Sequence, residues 1–201
     1  LENLRQPLET GEIWIARASA HIRYPCRFLL IAAANPCKCG YLYQAERACN
    51  KAHHCGAHYF QRLSGPLLDR FDLCLHAEAT SFTSLQNHEL GETTDDIAAR
   101  VRAARRCQSL RFSAHDGIHS NADAHGKLLT QTCALATETI SWLHKALDHF
   151  QLSPRGYHRM LRVARTIANL EGSDTFKKPH LSEALSFRPF PASGETAKQA
   201  G

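Results

Sequence analysis

The sequence predicts an α/β chain in two parts: an incomplete sheet domain followed by an all-α domain. Three observations carry this. The run at residues 28–34 is apolar on both faces, as expected of a central strand covered by helices. Four cysteines crowd into residues 37–55 directly after it, and beyond residue 93 the apolar residues recur at helical spacing. With 201 residues, 43% of them hydrophobic, the chain can bury one complete domain and part of another. No apolar run approaches the ~20 residues needed to span a bilayer. The start, Leu1-Glu2-Asn3-Leu4-Arg5, has neither a Met nor a signal-peptide core and reads as a cut edge inside a longer reading frame. A net charge of +5, with thirteen histidines counted neutral, fits an acidic polymer as partner without demanding one.

Leu1, Leu4 and Leu8 recur at helical spacing and stop at Thr10-Gly11, so the chain opens on the end of a helix. Ile13 and Ile15, then Ile22 and Tyr24, alternate with polar neighbours around a polar turn, the pattern of a hairpin. The strand at 28–34 follows, then a cysteine-rich insertion at 36–58 and a short helix around 59–63. A further strand at 71–77 alternates in polarity, which suits an edge or half-buried position. These elements make a first domain of residues 1–80. Residues 81–92, polar and rich in Ser and Thr, form the linker.

The second domain, 93–188, is expected to be wholly helical. Thr93 or Thr94 caps a helix with Asp95 and Asp96 in its first turn and Ile97, Val101 and Ala104 along one face. A second helix is expected over 128–150. A third has Ser153 as cap and Pro154 at its first position, buries Tyr157, Leu161, Ala164 and Ala168, and stops at Gly172. A fourth runs from Pro179 to about Phe187. The small, polar tail at 189–201 is expected to be disordered.

Candidate chemistry lies at four places. Asn35 stands at the carboxyl end of the apolar strand, where open sheets bind ligands, and its amide could orient a water attacking a terminal phosphate; the plain alternative is that Asn35-Pro36 starts a turn. Arg70 lies in Leu67-Leu68-Asp69-Arg70-Phe71-Asp72, where two acids would aim a guanidinium able to stabilise phosphoryl transfer; the alternative is a surface ion pair. Arg155, Arg159 and Arg162 fall on one stripe of the third helix, with Arg155 in its first turn, where backbone amides and guanidinium could converge on an anion. Arg159 and Arg162 read as a solvated face. Cys37, Cys39, Cys49 and Cys55, with His53, His54 and His58 nearby, could close a structural zinc site stapling a loop too polar to form its own core. The alternatives are unligated thiols, or a histidine in place of Cys55. Cys26, Cys74, Cys107 and Cys133 are scattered and read as ordinary core or surface residues in a reducing compartment.

A phosphate-binding loop is missing. The one Gly-Lys pair, Gly126-Lys127, has Asn121 where the motif needs Gly and Leu128 where it needs Ser or Thr. No apolar strand ends in an Asp-Glu pair to hold magnesium, so the chain by itself is not expected to hydrolyse ATP.

With these residues in view, the chain resembles the C-terminal portion of magnesium-chelatase-like AAA+ proteins of the ComM (YifB) type, hexameric bacterial helicases linked to branch migration in natural transformation. The resemblance covers residues 1–188. It rests on Leu4-Arg5-Gln6-Pro7-Leu8-Glu9 with Gly11-Glu12, on Ala34-Asn35-Pro36-Cys37, on Ser64-Gly65-Pro66-Leu67-Leu68-Asp69-Arg70-Phe71-Asp72, and on Val163-Ala164-Arg165-Thr166-Ile167-Ala168. It implies a partial AAA+ αβα sheet domain lacking its P-loop half, followed by a helical lid. It further implies that Asn35 is the sensor-1 asparagine, Arg70 the arginine finger and Arg155 the sensor-2 arginine. The hairpin resembles the pore hairpin of minichromosome-maintenance helicases, with Arg17 in the place of the residue that tracks DNA. The parent protein would use ATP and magnesium, form a hexameric ring in the cytoplasm and act on branched or single-stranded DNA. Many relatives have a second Cys-x-Cys where this chain has Cys49-Asn50-Lys51, so Cys55 would supply the fourth ligand. Two other functions stay open: a chelatase subunit that inserts magnesium into a porphyrin, and a non-catalytic, zinc-stabilised adaptor or DNA-binding module.

Overall fold

The computed structural model describes residues 2–35, 37–41, 46–47, 49–50, 55–56, 64–77, 91–135, 137–150 and 152–188. The chain divides into two compact units, residues 1–71 with 189–201, and residues 72–188. The expected helix at 59–63, the tail at 189–201 and all of the expected linker but Gly91 and Glu92 lie outside the described residues. No helix among the described residues is long and apolar enough to cross a membrane.

In the first unit a 3-10 turn, Glu2–Leu4, leads into α1, Arg5–Thr10. The helix stops at Gly11, whose φ of 68° is left-handed and whose N–H reaches the carbonyl of Pro7 at 2.8 Å. The expected hairpin follows: β1, Glu12–Arg17, pairs antiparallel with β2, Ala20–Pro25, placing Ile15 opposite Ile22 across a turn at Ala18-Ser19. Cys26 N–H to Gly11 O, 2.6 Å, closes the base of the ribbon. A single helical turn, α2, Gly65–Leu68, is capped by Ser64 Oγ, which accepts from Leu67 N–H at 3.3 Å.

The expected strands at 28–34 and 71–77 are not strands. Both segments are irregular, with Leu29 and Ile31 each 83% exposed and Leu75 77% exposed. A strand exists only as one side of a hydrogen-bonded ladder, and the hairpin is the only sheet among the described residues. The composition of these runs suits a buried sheet, but no described neighbour pairs with them.

The second unit is helical: α3, Thr94–Arg111; α4, Gly126–Thr132; α5, Thr137–His149; α6, Pro154–Leu170; and α7, Lys178–Ser186. It takes in residues 72–77, because Cys74 N–H donates to Phe187 O at 2.8 Å and lays the start of the unit beside its end. α6 is central and presents Met160, Leu161 and Ala164, all buried, to a core that includes Phe112, Leu129, Leu143 and Leu181; Ala168, a turn further on, is buried too. Ser153 Oγ accepts from Gly156 N–H at 3.1 Å at its start. Its end is a Schellman motif: Gly172, φ 74°, donates to Asn169 O at 3.2 Å and Ser173 N–H to Ala168 O at 2.8 Å. In α7, His180 is buried; its Nδ1 accepts from Lys177 N–H at 3.1 Å, which leaves Nε2 to donate to Glu171.

Two expectations need correction. The single helix over 128–150 is broken into α4 and α5 at Cys133. On one straight helix Leu129 and Leu143 would sit about 21 Å apart along the axis, whereas the break lets both enter the same core. In α3, Thr93 is the cap, with Oγ1 accepting from Asp96 N–H at 3.2 Å, but the apolar face is buried only from Ala104 onward. Ile97 and Val101 are 42% and 45% exposed.

A buried polar network ties α3, the 3-10 turn Asn121–Asp123 and α6 together. Asn121 Nδ2 donates to Thr166 Oγ1 at 3.0 Å and to Asn169 Oδ1 at 3.1 Å, while its own N–H reaches Gln108 Oε1 at 3.1 Å. Arg111 Nη1 donates to both asparagine oxygens, at 3.3 and 3.0 Å. Asn121 and Asn169 are 2% and 4% exposed, so water cannot replace a lost partner. Asn121→Ala is therefore expected to cost about 1–3 kcal/mol, against less than about 0.5 kcal/mol for Arg102→Ala on the exposed side of α3. Urea unfolding followed by helical circular dichroism measures both.

Candidate functional site

Arg70 is the most constrained of the candidate residues. It follows the α2 turn, and its side chain is 7% exposed. Nε donates to Arg5 O at 3.2 Å, Nη1 to Pro66 O and Nη2 to the carboxylate of Glu9. The planar fork thus spans three acceptors, two on α1 and one on α2, a geometry an ammonium cannot reproduce. The sequence placed Asp69 and Asp72 around this arginine; the carboxylate that holds it lies 61 residues away in the chain.

The cysteine cluster is built on a tight turn. Gly40, φ 82°, donates to Cys37 O at 3.1 Å, which folds Cys37 and Cys39 onto one side with their sulfurs 3.0 Å apart. The ligand atoms of Cys37, Cys39 and Cys55 all lie within 4.8 Å of one another. Cys37 is buried, whereas Cys39, Cys49 and Cys55 are half-buried. Hydrogen bonding from the Cys37 thiol, helped by backbone N–H groups and by Cys49, brings the Cys39 thiol down to about 6, whereas that same bond to Cys39, with burial, pushes Cys37 up. Three soft sulfur donors thus converge, with the Cys37–Cys39 pair closer than the about 3.8 Å that two ligands of one tetrahedral zinc keep. A metal could be held by Cys37, Cys39 and Cys55, with Cys49 adjoining through Cys39. His53, His54 and His58 lie outside the described residues.

Asn35 is exposed at the end of the 28–34 run. Arg17 is exposed at the last position of β1, opposite Ala20 at the hairpin tip. Arg155 is exposed in the first turn of α6, as the sequence predicts. Its two companions are not a solvated face. The Arg159 side chain is 16% exposed, with Nη1 3.7 Å from Asp72 Oδ1. Arg162 Nε donates to Ala124 O at 3.1 Å, and Nη2 lies 2.6 Å from His125 Nδ1. Burial and the Arg162 charge hold His125 below the usual imidazole range, so the ring is neutral and Nδ1 accepts. Helical spacing gave the stripe; nothing local signalled the loop at 121–125 that covers its lower end.

Among candidate residues, the structure brings together the cysteines and, within the first unit, gives Arg70 its partner Glu9. Glu9→Ala is expected to destabilise the protein by about 1.5–3 kcal/mol by leaving a buried guanidinium short of its counter-charge. Arg70→Lys should lose a comparable amount, since one ammonium cannot serve all three acceptors. Chemical denaturation of the two variants provides the check.

Residues 1–85 match the family model described as magnesium chelatase, subunit ChlI, and residues 91–188 match the C-terminal domain of the same subunit. The chain is 40% identical over 199 residues to the competence protein ComM of Haemophilus influenzae and 39% identical over 189 residues to the uncharacterized protein YifB of Escherichia coli. Each alignment covers 94% of this chain and 36% of the relative, so the chain spans about a third of the length of the curated relatives it matches.

Proposed function

The chain belongs to the magnesium-chelatase-like proteins of the ComM and YifB type, a group within the AAA+ ATPases, and on that premise we propose that it is the sensor, finger and lid portion of a ring-forming, DNA-driven ATPase that promotes branch migration. The observation that carries this reading is the likeness to a competence protein, at 40% identity over 94% of the chain. In this reading the remaining two thirds of the relatives' length supplies the phosphate loop, the magnesium-binding acids and the strands that would pair with residues 28–34 and 71–77.

Asn35 is then the sensor that orients the attacking water from a strand end. Arg70 is the arginine finger, reaching the terminal phosphate bound by a neighbouring subunit of a hexamer. Arg155, beside the first N–H groups of α6, is the sensor of the lid. Arg17 at the hairpin tip contacts DNA in the pore. ATP and magnesium are the parent protein's cofactors, and the cytoplasm is its compartment. Zinc suits the donor chemistry of the thiol set: the three sulfurs lie within 4.8 Å of one another, and binding would open the Cys37–Cys39 pair from 3.0 Å to the about 3.8 Å that ligands of a tetrahedral sulfur site keep. Zinc would fix the loop after Asn35 and neutralise the thiolates. The chain's own residues bind, orient and stabilise; bond cleavage needs the phosphate loop that this sequence lacks.

The family description itself favours a second reading, a chelatase subunit that uses ATP to drive magnesium into a porphyrin. Turnover separates the two. ATP hydrolysis by the full-length protein is expected to rise on adding forked DNA, and turnover indifferent to DNA would put the chelatase reading ahead. Arg70→Ala should lower turnover roughly 10³-fold or more with nucleotide binding retained; unchanged turnover would remove the finger role. Metal analysis should find one zinc per chain, lost in the Cys37→Ser, Cys39→Ser double variant, whereas a metal-free protein with a well-ordered loop would remove the zinc site.

A further inference from the structure

The hairpin has two chemically distinct faces, and the proposed role of Arg17 uses only one of them. In an antiparallel ribbon, directly opposed residues point to the same side and alternate pairs to opposite sides. The register places Ile13, Ile15 and Arg17 with Tyr24, Ile22 and Ala20 on one face, and Glu12, Trp14 and Ala16 with Pro25, Arg23 and His21 on the other. On this second face Trp14 is 57% exposed, and its ring lies beside the Arg23 guanidinium carbon, 5.9 Å from the centroid. Arg23 makes a loose contact with the half-buried Glu12 on the same face, 3.5 Å, a weak pair that leaves the exposed guanidinium open to competition from a stronger anion. Ala16, the next residue on that side, is small and leaves open space along the ribbon about 6.6 Å from Trp14.

A wide aromatic plane flanked by a guanidinium and an imidazole has the chemistry of a base-stacking platform. We propose that the Trp14, Arg23 and His21 face of the hairpin binds single-stranded DNA, with an unstacked base over the Trp14 ring and the adjoining phosphates against Arg23 and His21. This rests on the DNA reading above and specifies the form of the strand. Every base has a π-face, so a contact that rests on stacking tolerates any sequence. Duplex DNA keeps its bases stacked on one another and presents no free ring to Trp14.

The chain has two tryptophans, Trp14 and Trp142, so a Trp142→Phe background gives a signal from the hairpin alone. Titration of that 201-residue protein with a short oligothymidine should quench the fluorescence, and a duplex of equal length should not. Read by the fluorescence anisotropy of a labelled oligothymidine, Trp14→Ala should weaken binding roughly tenfold, while Trp14→Phe, which keeps a ring, should stay near the parent affinity and guards against a folding artefact. Arg23→Ala should reduce the dependence of log K on log salt by about 0.7. Unchanged affinity in Trp14→Ala, or equal quenching by duplex, would overturn the platform. In the full-length protein, a turnover stimulated by DNA but indifferent to Trp14→Ala would overturn the platform and leave the motor reading standing. A parent turnover that ignores DNA would remove the motor reading itself.

Discussion

The helical unit depends on the amide of Asn121 being held between α3 and α6. A buried asparagine is tolerable only when its donors and acceptor are met, and here they are met by groups from two helices: Gln108 and Arg111 of α3, and Thr166 and Asn169 of α6. Apolar packing alone would let α6 slide by a ridge at small cost. Directional bonds do not, and so Arg155 at one end of that helix and the Schellman turn at the other are fixed relative to α3. A satisfied polar cluster in a core selects one arrangement among several of similar packing energy.

The first unit is organised differently. Among its described residues little apolar surface is buried, and a charged side chain links its elements. Arg70 gathers α1 and α2 through three acceptors, which makes it structural in this chain whatever it does in an assembly. The two roles are compatible only if phosphate oxygens can compete with Glu9, since one guanidinium has a fixed number of N–H groups. Charge-assisted bonds to phosphate are of the same kind and strength as the bond to carboxylate, so such an exchange is close to balanced.

Local chemistry was legible in the sequence wherever one residue decides the outcome. Thr93 and Ser153 cap as their side chains require, Gly11 and Gly172 end helices in a conformation other residues avoid, and the alternation at 13–24 made a hairpin. What could not be read depended on distant partners. The periodicity of 128–150 continues through Cys133, where the break answers to a core assembled from other helices. The apolar run at 28–34 has a strand's composition without a strand's neighbours. Glu9 belongs to Arg70 across a gap of 61 residues that no spacing rule bridges. The cysteine turn fell between these cases: Cys37-Lys38-Cys39-Gly40 announces it, yet Cys55 joins only through the fold.

Cys74 and Phe187, hydrogen-bonded to one another, stand near the two ends of the helical unit. The chain therefore comes in and leaves at one place. Force arriving along the backbone meets first at that bond and at the Asp72–Arg159 pair two residues before it, ahead of the packed core around Leu161 and Asn121. Mechanically the unit is a load hung from one point, able to be carried as a rigid body by whatever moves the chain on either side of it.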